Sequence, residues 1–125
     1  MKLPVDRTSR LRIKAKSWAS IESFYADLAT SAGWGHEMLD LVRHIGETGL
    51  SKRLYAFTSH ADLFISIYPE IDRYKEVLRV IFNASTNTYD FEYYSKPTLQ
   101  PEVSRSYPRE VGIDKFSSFI EHLRW

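Results

Sequence analysis

The 125-residue chain has no cysteine and no long apolar run. The lack of cysteine excludes disulfides, thiol catalysis and thiolate metal ligands. No apolar stretch approaches the length of a membrane-spanning helix, and residues 1–16 carry Pro4, Asp6 and several basic residues where a signal peptide needs an apolar core. We therefore expect a cytoplasmic protein.

The sequence also lacks the motifs of common catalytic sites, such as a Gly-x-Ser-x-Gly elbow or a Walker loop. Gly33-Trp34-Gly35 is not a phosphate loop, because it lacks a third glycine and follows a predicted helix. Asp90 and Glu92 would share one face of a strand, as a carboxylate pair could, but the predicted position of Arg79 opposite Glu92 favours an ion pair. We therefore predict a non-enzymatic protein with no catalytic residue and no cofactor.

One group of residues has helical spacing suited to a metal. His36, Asp40 and His44 follow each other at four-residue steps, and such spacing can bring two ligands onto one ion. The three lie opposite the apolar stripe of their predicted helix and so face water. We therefore predict no metal site.

Length and composition indicate a single domain over residues 1–125. Hydrophobic residues make up 43% and charged residues 26% of the chain, which is typical of a soluble globular protein with one core. The net charge of +1 is unevenly spread. Residues 1–16 hold six basic residues and one acidic residue, and the remaining segment has 11 basic and 15 acidic residues.

The stretch from Arg53 to Tyr94 predicts two consecutive β-hairpins and holds ten of the eighteen aromatic residues. A two-residue loop at His60-Ala61 places Phe57 opposite Phe64. A polar turn at residues 84–87 places Arg79 opposite Glu92. A slip of one residue would lose these matches, so we expect both registers to hold.

Side-chain alternation gives this sheet two different faces. The first face is wholly apolar, and we expect the helices to pack on it. The second face is mixed and needs a cover, which could be the N-terminal or C-terminal segment of the chain, a second copy or another partner. The apolar and aromatic residues of this second face are Tyr55, Phe57, Phe64, Tyr68, Val77, Ile81 and Tyr94.

The flanking segments predict a strand and three helices. Residues 10–16 alternate basic and apolar side chains, as a strand does. Ser17 or Ser20 would cap a helix that runs to about Ser31, and a second helix would run from His36 to about Thr48.

The C-terminal part reads as a connector followed by a helix. Three prolines mark residues 95–111 as extended, with a short edge strand at Val103 to Tyr107. Asp114 would cap a third helix from Ile113 to Arg124. The predicted fold is α+β, with a four- to five-stranded antiparallel meander and three helices, two N-terminal and one C-terminal, packed mainly on one face.

This order of elements, with stretches such as LYAFTSHADLFISIY and TYDFEYYSKP, resembles small immunity proteins of bacterial polymorphic toxin and contact-dependent inhibition systems. The resemblance extends over nearly the whole chain and implies a cytoplasmic, stoichiometric inhibitor that neutralises a toxin domain. Many such inhibitors of nucleases are markedly acidic, whereas this chain is nearly neutral.

The residues themselves also favour a protein-binding module, because a Tyr-rich mixed surface flanked by charges is typical of interfaces. Homodimerisation through the aromatic face is compatible with this function. The predicted partner-binding residues are Tyr55, Phe64, Tyr68, Asp90, Glu92 and Tyr94.

Two alternative functions remain open at this point. One is a small-molecule or metal-binding, enzyme-like domain with a pocket between helices and sheet. The other is a weak nucleic-acid binder that uses Arg10, Arg12, Lys14 and Lys16, with Trp18 nearby to stack on a base. The basic strip can equally be an edge strand whose charges prevent pairing with other chains.

Overall fold

The computed structural model describes residues 12–72, 75–96 and 100–125. In these ranges the chain forms seven strands and three α-helices. In chain order they are β1 (Arg12–Lys14), α1 (Trp18–Asp27), α2 (His36–Glu47), β2 (Tyr55–Ser59), β3 (Asp62–Ser66), β4 (Glu70–Asp72), β5 (Val77–Asn83), β6 (Thr88–Tyr94), β7 (Val103–Pro108) and α3 (Arg109–Leu123).

The main sheet is antiparallel, with the strand order β2-β3-β5-β6-β7. Both predicted hairpin registers are confirmed, with Phe57 opposite Phe64 and Arg79 opposite Glu92. The first hairpin turns at His60 and Ala61, both of which have positive φ, as a two-residue hairpin loop requires. The predicted edge strand is also confirmed as β7, which pairs with β6.

The predicted antiparallel meander is confirmed, but the connection between β3 and β5 leaves the main sheet and contains an additional strand that was not predicted. The segment β4 instead pairs with β1 in a separate two-stranded antiparallel sheet. Sequence alternation over residues 62–68 predicts a longer β3, but the strand ends at Ser66. The Ser66 hydroxyl donates to the carbonyl of Glu76 at 2.6 Å and so closes the base of this excursion.

The two N-terminal helices form as predicted, apart from their junction. Ser17 caps α1 by accepting a hydrogen bond from the Ser20 N–H at 3.1 Å. The helix then widens into a π-helical segment over Leu28–Ala32 and ends at Gly33, which has a φ of 76°.

The helices pack on the first sheet face, as expected. Large side chains from both layers are almost fully buried there, so the helix–sheet interface is a filled core. Representative members are Ile21, Tyr25, Leu41, Ile45, Leu63, Ile65, Val80, Tyr89, Phe91, Phe116 and Ile120.

The predicted start of the third helix is wrong. The helix α3 begins at Arg109, directly after Pro108, and Asp114 lies within it instead of capping it. Gly112 lies within this helix, although glycine in a helix costs about 1 kcal/mol relative to alanine. In the fold, Gly112 is buried against the ring of Tyr89, and this close contact requires a residue without a side chain.

The second face receives part of its cover from the N-terminal segment, one of the covers expected from the sequence. Ile13 and Ala15 pack with Ile71 of β4 against Phe57 and Phe64. The same N-terminal segment is also hydrogen-bonded to the main sheet, since the Lys16 N–H donates to the Ala56 carbonyl of β2 at 2.9 Å. The C-terminal connector contributes β7 at the sheet edge.

Candidate protein-interaction surface

A polar strip lies on the second face beside the cluster under β1 and β4. We define it as Asp62 on β3, Arg79 on β5, and Asp90 and Glu92 on β6. The four positions share this face because the registers align Phe64 with Arg79 and Arg79 with Glu92, and side chains alternate along each strand.

Arg79 joins three strands through two carboxylates. Its Nη1 lies 2.5 Å from Glu92 Oε1, and its Nη2 lies 2.9 Å from Asp62 Oδ2. The three side chains keep 13%, 26% and 21% exposure for Arg79, Glu92 and Asp62. Because they are partly screened from water, these charge-assisted bonds hold the strip in one geometry.

Electrostatics support this description. Burial alone would lower the pKa of the Arg79 guanidinium, but its hydrogen bonds and charge interactions with Glu92 and Asp62 outweigh burial and raise that pKa. The guanidinium is thus held in its charged form. The polar strip carries an excess of negative charge, because it contains three carboxylates and one guanidinium.

Neighbouring hydroxyl groups orient the two acidic residues of β6. The Tyr94 hydroxyl donates to Glu92 Oε1 at 3.2 Å, and the Thr88 hydroxyl donates to Asp90 Oδ1 at 2.8 Å. Burial, with the nearby Glu92 carboxylate, raises the pKa of Tyr94 to about 12. Tyr94 therefore remains a neutral hydrogen-bond donor across the physiological pH range.

The structure brings together three of the predicted partner-binding residues, namely Asp90, Glu92 and Tyr94. Tyr55 lies on β2 at the edge of the main sheet and is 38% exposed, which suits a contact residue. Tyr68 lies beyond the end of β3, and its ring is 4.8 Å from the Lys75 ammonium. Strand alternation therefore does not place Tyr68 on the second face.

Phe64 is not available to a partner in this structure. It is 1% exposed, and its ring stacks on Phe57 with the centroids 5.0 Å apart. The aromatic part of the second face expected to support a homodimer is thus largely internal. What remains accessible is mainly polar, with the partly exposed Ile81 aligned with Asp90 and with Tyr55 and Tyr94 at the margin.

Sequence reasoning missed Asp62 as a member of the site. Asp62 follows the hairpin loop, a position where aspartate typically bonds to the backbone of the turn. The register between β3 and β5, which joins the two hairpins, would have identified it. That register aligns Phe64 with Arg79 and so brings Asp62 within reach of the guanidinium.

The basic strip that carried the nucleic-acid alternative is only partly described. Arg10 lies outside the described residues, whereas Lys14 and Lys16 are exposed. On the neighbouring strand β4, Glu70 is aligned with Lys14. This pairing reduces the positive potential that a phosphate backbone requires.

Trp18 does not support base stacking either. Its indole N–H donates to the Leu54 carbonyl at 2.9 Å, and its ring packs against the core. Trp18 thus anchors α1 to the end of the main sheet, which is a structural role.

The remaining chemical groups give little support for a ligand pocket. Across residues 12–72, 75–96 and 100–125, no group of three or more His, Asp or Glu side chains could hold a metal ion. His44 contacts α3 instead, with Nε2 2.8 Å from the Ser117 hydroxyl. A groove of about 340 Å³ at Glu22, Arg43, Gly46 and Glu47 is open to solvent and does not lie between helices and sheet.

Comparisons of the chain with protein-family models, curated proteins and solved structures gave no match. Within the described part of the chain, no helix is both long and apolar enough to cross a membrane.

Proposed function

We propose that this protein is a non-enzymatic protein-binding module that acts as a stoichiometric inhibitor, an immunity protein that neutralises a bacterial toxin domain in the cytoplasm. The polar strip carries this proposal. It presents three carboxylates and one guanidinium on a rigid sheet, with partly exposed tyrosines beside them. Preorganised charges with aromatic neighbours are typical of specific protein interfaces.

The excess carboxylate charge indicates the chemistry of the partner. Arg79 already pairs with both Asp62 and Glu92, so it cannot neutralise all three carboxylates of the polar strip. The remaining negative charge is balanced by cations of the partner. We therefore expect a basic partner surface, with lysine or arginine side chains reaching Asp90 and Glu92. The chain as a whole is nearly neutral, but charge complementarity with a partner depends on the contact surface alone. The excess of carboxylates on the polar strip is therefore compatible with binding to a basic surface.

The enzyme-like alternative receives less support. Buried aromatic and aliphatic side chains, including Tyr25, Phe91 and Phe116, fill the described interface between helices and sheet. A ligand there would need side chains of the core to move.

The test begins with capture of the tagged protein's partner from its own cell lysate, with a nuclease-treated control and mass spectrometry. We expect a partner in equimolar amount that survives nuclease treatment. Expressed alone, this partner should arrest growth, and co-expression of the present protein should restore it. A partner lost with nuclease treatment would favour nucleic-acid binding instead.

Charge reversal then maps the contact. Asp90→Lys should weaken partner binding by about tenfold or more, because it places a like charge against a basic surface. Glu47→Lys makes the same charge change at an exposed position of α2, away from the polar strip, and should leave affinity unchanged. Equal affinities for both variants and the parent would remove the polar strip from the binding site.

A further inference from the structure

The two edge strands of the main sheet differ in whether other parts of the chain bond to their outer sides. At the β2 edge, the Lys16 N–H donates to the Ala56 carbonyl at 2.9 Å and the Trp18 indole N–H donates to the Leu54 carbonyl at 2.9 Å. The chain therefore closes this edge with its own groups. At the opposite edge, β7 is the last strand, and no strand of the described ranges pairs with its outer side.

The hydrogen-bond pattern shows which groups of β7 face outward. The Arg109 N–H donates to the Asn87 carbonyl at 3.1 Å, in line with the register that aligns Tyr107 with Tyr89. Backbone groups alternate in direction along a strand, so Arg105 and Tyr107 are bonded toward β6. The N–H and C=O groups of Ser104 and Ser106 therefore point away from the sheet.

This edge is held by β6 along the whole strand. All six β7 residues are aligned with β6, and Tyr107 packs its ring 5.5 Å from that of Phe91. Its protection consists of Arg105, whose Nη1 donates to the outward Ser104 carbonyl at 2.8 Å, and of Pro108 at the strand end. Because Arg105 is exposed, its side chain can rotate away from the Ser104 carbonyl when an incoming strand donates a hydrogen bond to that carbonyl.

The two sides of this edge carry opposite charges. On the helix side, Arg105 stands between Val103 and Tyr107, with the Lys115 ammonium 5.9 Å from the Tyr107 ring. On the other side, the small residues Ser104 and Ser106 are aligned with Glu92 and Asp90 of the polar strip. A long basic side chain beside either serine could extend over it to a carboxylate.

We propose that β7 is a docking edge for an extended segment of a partner protein, with alternating side chains of defined charge. An acidic side chain of this segment lies opposite Arg105, flanked by apolar residues near Val103 and Tyr107. Basic side chains at the alternate positions pass over the serines toward Asp90 and Glu92. This proposal rests on the proposed function only in taking the ligand to be a protein.

Strand addition suits such a site, because main-chain hydrogen bonds supply affinity while alternate side chains supply specificity. A second copy of this chain is the less suitable occupant. In the central register of a symmetric β7 pair, Arg105 would face its own copy, and like charges directly opposite each other are destabilising.

The test uses two synthetic peptides of the same composition, acetyl-KVKEKVK-amide and acetyl-KKVEVKK-amide. Only the first places glutamate and two valines on one side and all lysines on the other. In an NMR titration of the full ¹⁵N-labelled chain, we expect it to shift the Ser104 and Ser106 amide signals. The second should act several-fold more weakly, although its net charge is the same.

Two variants separate edge pairing from simple charge attraction. Ser106→Pro removes an outward N–H and is compatible with an edge strand, so it should abolish the response while Ser106→Val preserves it. Arg105→Glu, at an exposed position, should weaken binding of the first peptide even if the proline variant fails to fold.

Equal responses to the two peptides, or an undiminished response in Ser106→Pro or Arg105→Glu, would overturn the proposal. So would concentration-dependent dimerisation that Ser106→Pro abolishes, because the occupant would then be a second copy. The peptides replace the natural partner, so failure here would leave the polar strip untouched as an interaction surface. Failure of Asp90→Lys to affect the captured partner would count against the strip instead.

Discussion

A β-carbon on Gly112 would lie 2.1 Å from Cδ2 of Tyr89, so the first turn of α3 lies directly against this ring. The ring has little freedom to move away. Its hydroxyl donates to the Glu37 carbonyl at 2.8 Å, and Phe82 packs edge-on at 5.1 Å. Tyr89 thus links β6, α2 and α3.

Gly112→Ala should lower the free energy of unfolding by about 2 kcal/mol or more, because the added methyl group overpacks a rigid contact. Gly46→Ala is the matched control, since Gly46 lies in α2 with no atom near its missing β-carbon. That variant should gain up to about 1 kcal/mol from helix propensity. Urea denaturation measures both, and the same sign for the two variants would contradict this interpretation.

Ala61→Gly should raise the free energy of unfolding by about 1 kcal/mol. Ala61 has a φ of 80°, a backbone conformation that costs a residue with a β-carbon about 1–2 kcal/mol. The Tyr25 hydroxyl holds this turn by donating to the Ala61 carbonyl at 2.8 Å, and glycine retains that carbonyl.

Asn87→Gly is the control for this turn prediction, because Asn87 also has positive φ but asparagine tolerates it. We expect little change in its urea midpoint. An Ala61→Gly variant no more stable than the parent would show that the turn carries no strain.

Arg79→Met should destabilise the fold by about 1–3 kcal/mol, because Asp62 and Glu92 would lose their shared cation while remaining partly buried. Arg43→Met removes an ion pair whose side chains are 52% and 45% exposed, and it should cost less than about 1 kcal/mol. Chemical denaturation of the two variants compares them directly. Equal losses would mean that the polar strip is no more preorganised than an ordinary surface ion pair.

Tyr94→Phe should reduce the loss of stability at alkaline pH. Folding raises the pKa of Tyr94 from 10.0 to about 12, so the folded state holds this proton more tightly than the unfolded state does. Its contribution is fully present below pH 10 and is lost as the pH rises toward 12.

Free energies of unfolding measured at about pH 9 and about pH 11.5 test this linkage. The parent should lose more stability than Tyr94→Phe between these two values, and the variant should lack one late step in the tyrosinate absorbance titration. Identical losses in the two proteins would contradict the assignment.

The parts of the fold that sequence predicts best depend on short-range pairing. Both hairpin registers follow from alternation, from the loop at His60-Ala61 and from the match of Arg79 with Glu92. The departure of β4 could not be predicted in this way, because its partner β1 lies far away in the sequence. The predicted start of α3 relied on Asp114 as a cap, whereas the packing of Gly112 against Tyr89 belongs to a first turn that begins earlier, at Arg109.

The same distinction applies to the candidate site. Alternation places Asp90, Glu92 and Tyr94 on one face, and the structure confirms that placement. Asp62 joins them only through the pairing of β3 with β5, and Phe64 is removed from the surface only by the packing of the β1–β4 pair. Long-range packing thus decides which residues of a correctly predicted face remain accessible.

The attachment of Lys16 and Trp18 to β2 has a kinetic consequence. The Trp18–Leu54 bond spans 36 positions that include both N-terminal helices, whereas the β2–β3 hairpin closes over two loop residues. The chain must lose more conformational entropy to form the longer closure, since this loss grows with the logarithm of loop length. We therefore expect the hairpins to assemble before the N-terminal segment docks, so that the cover of the second face forms late in folding.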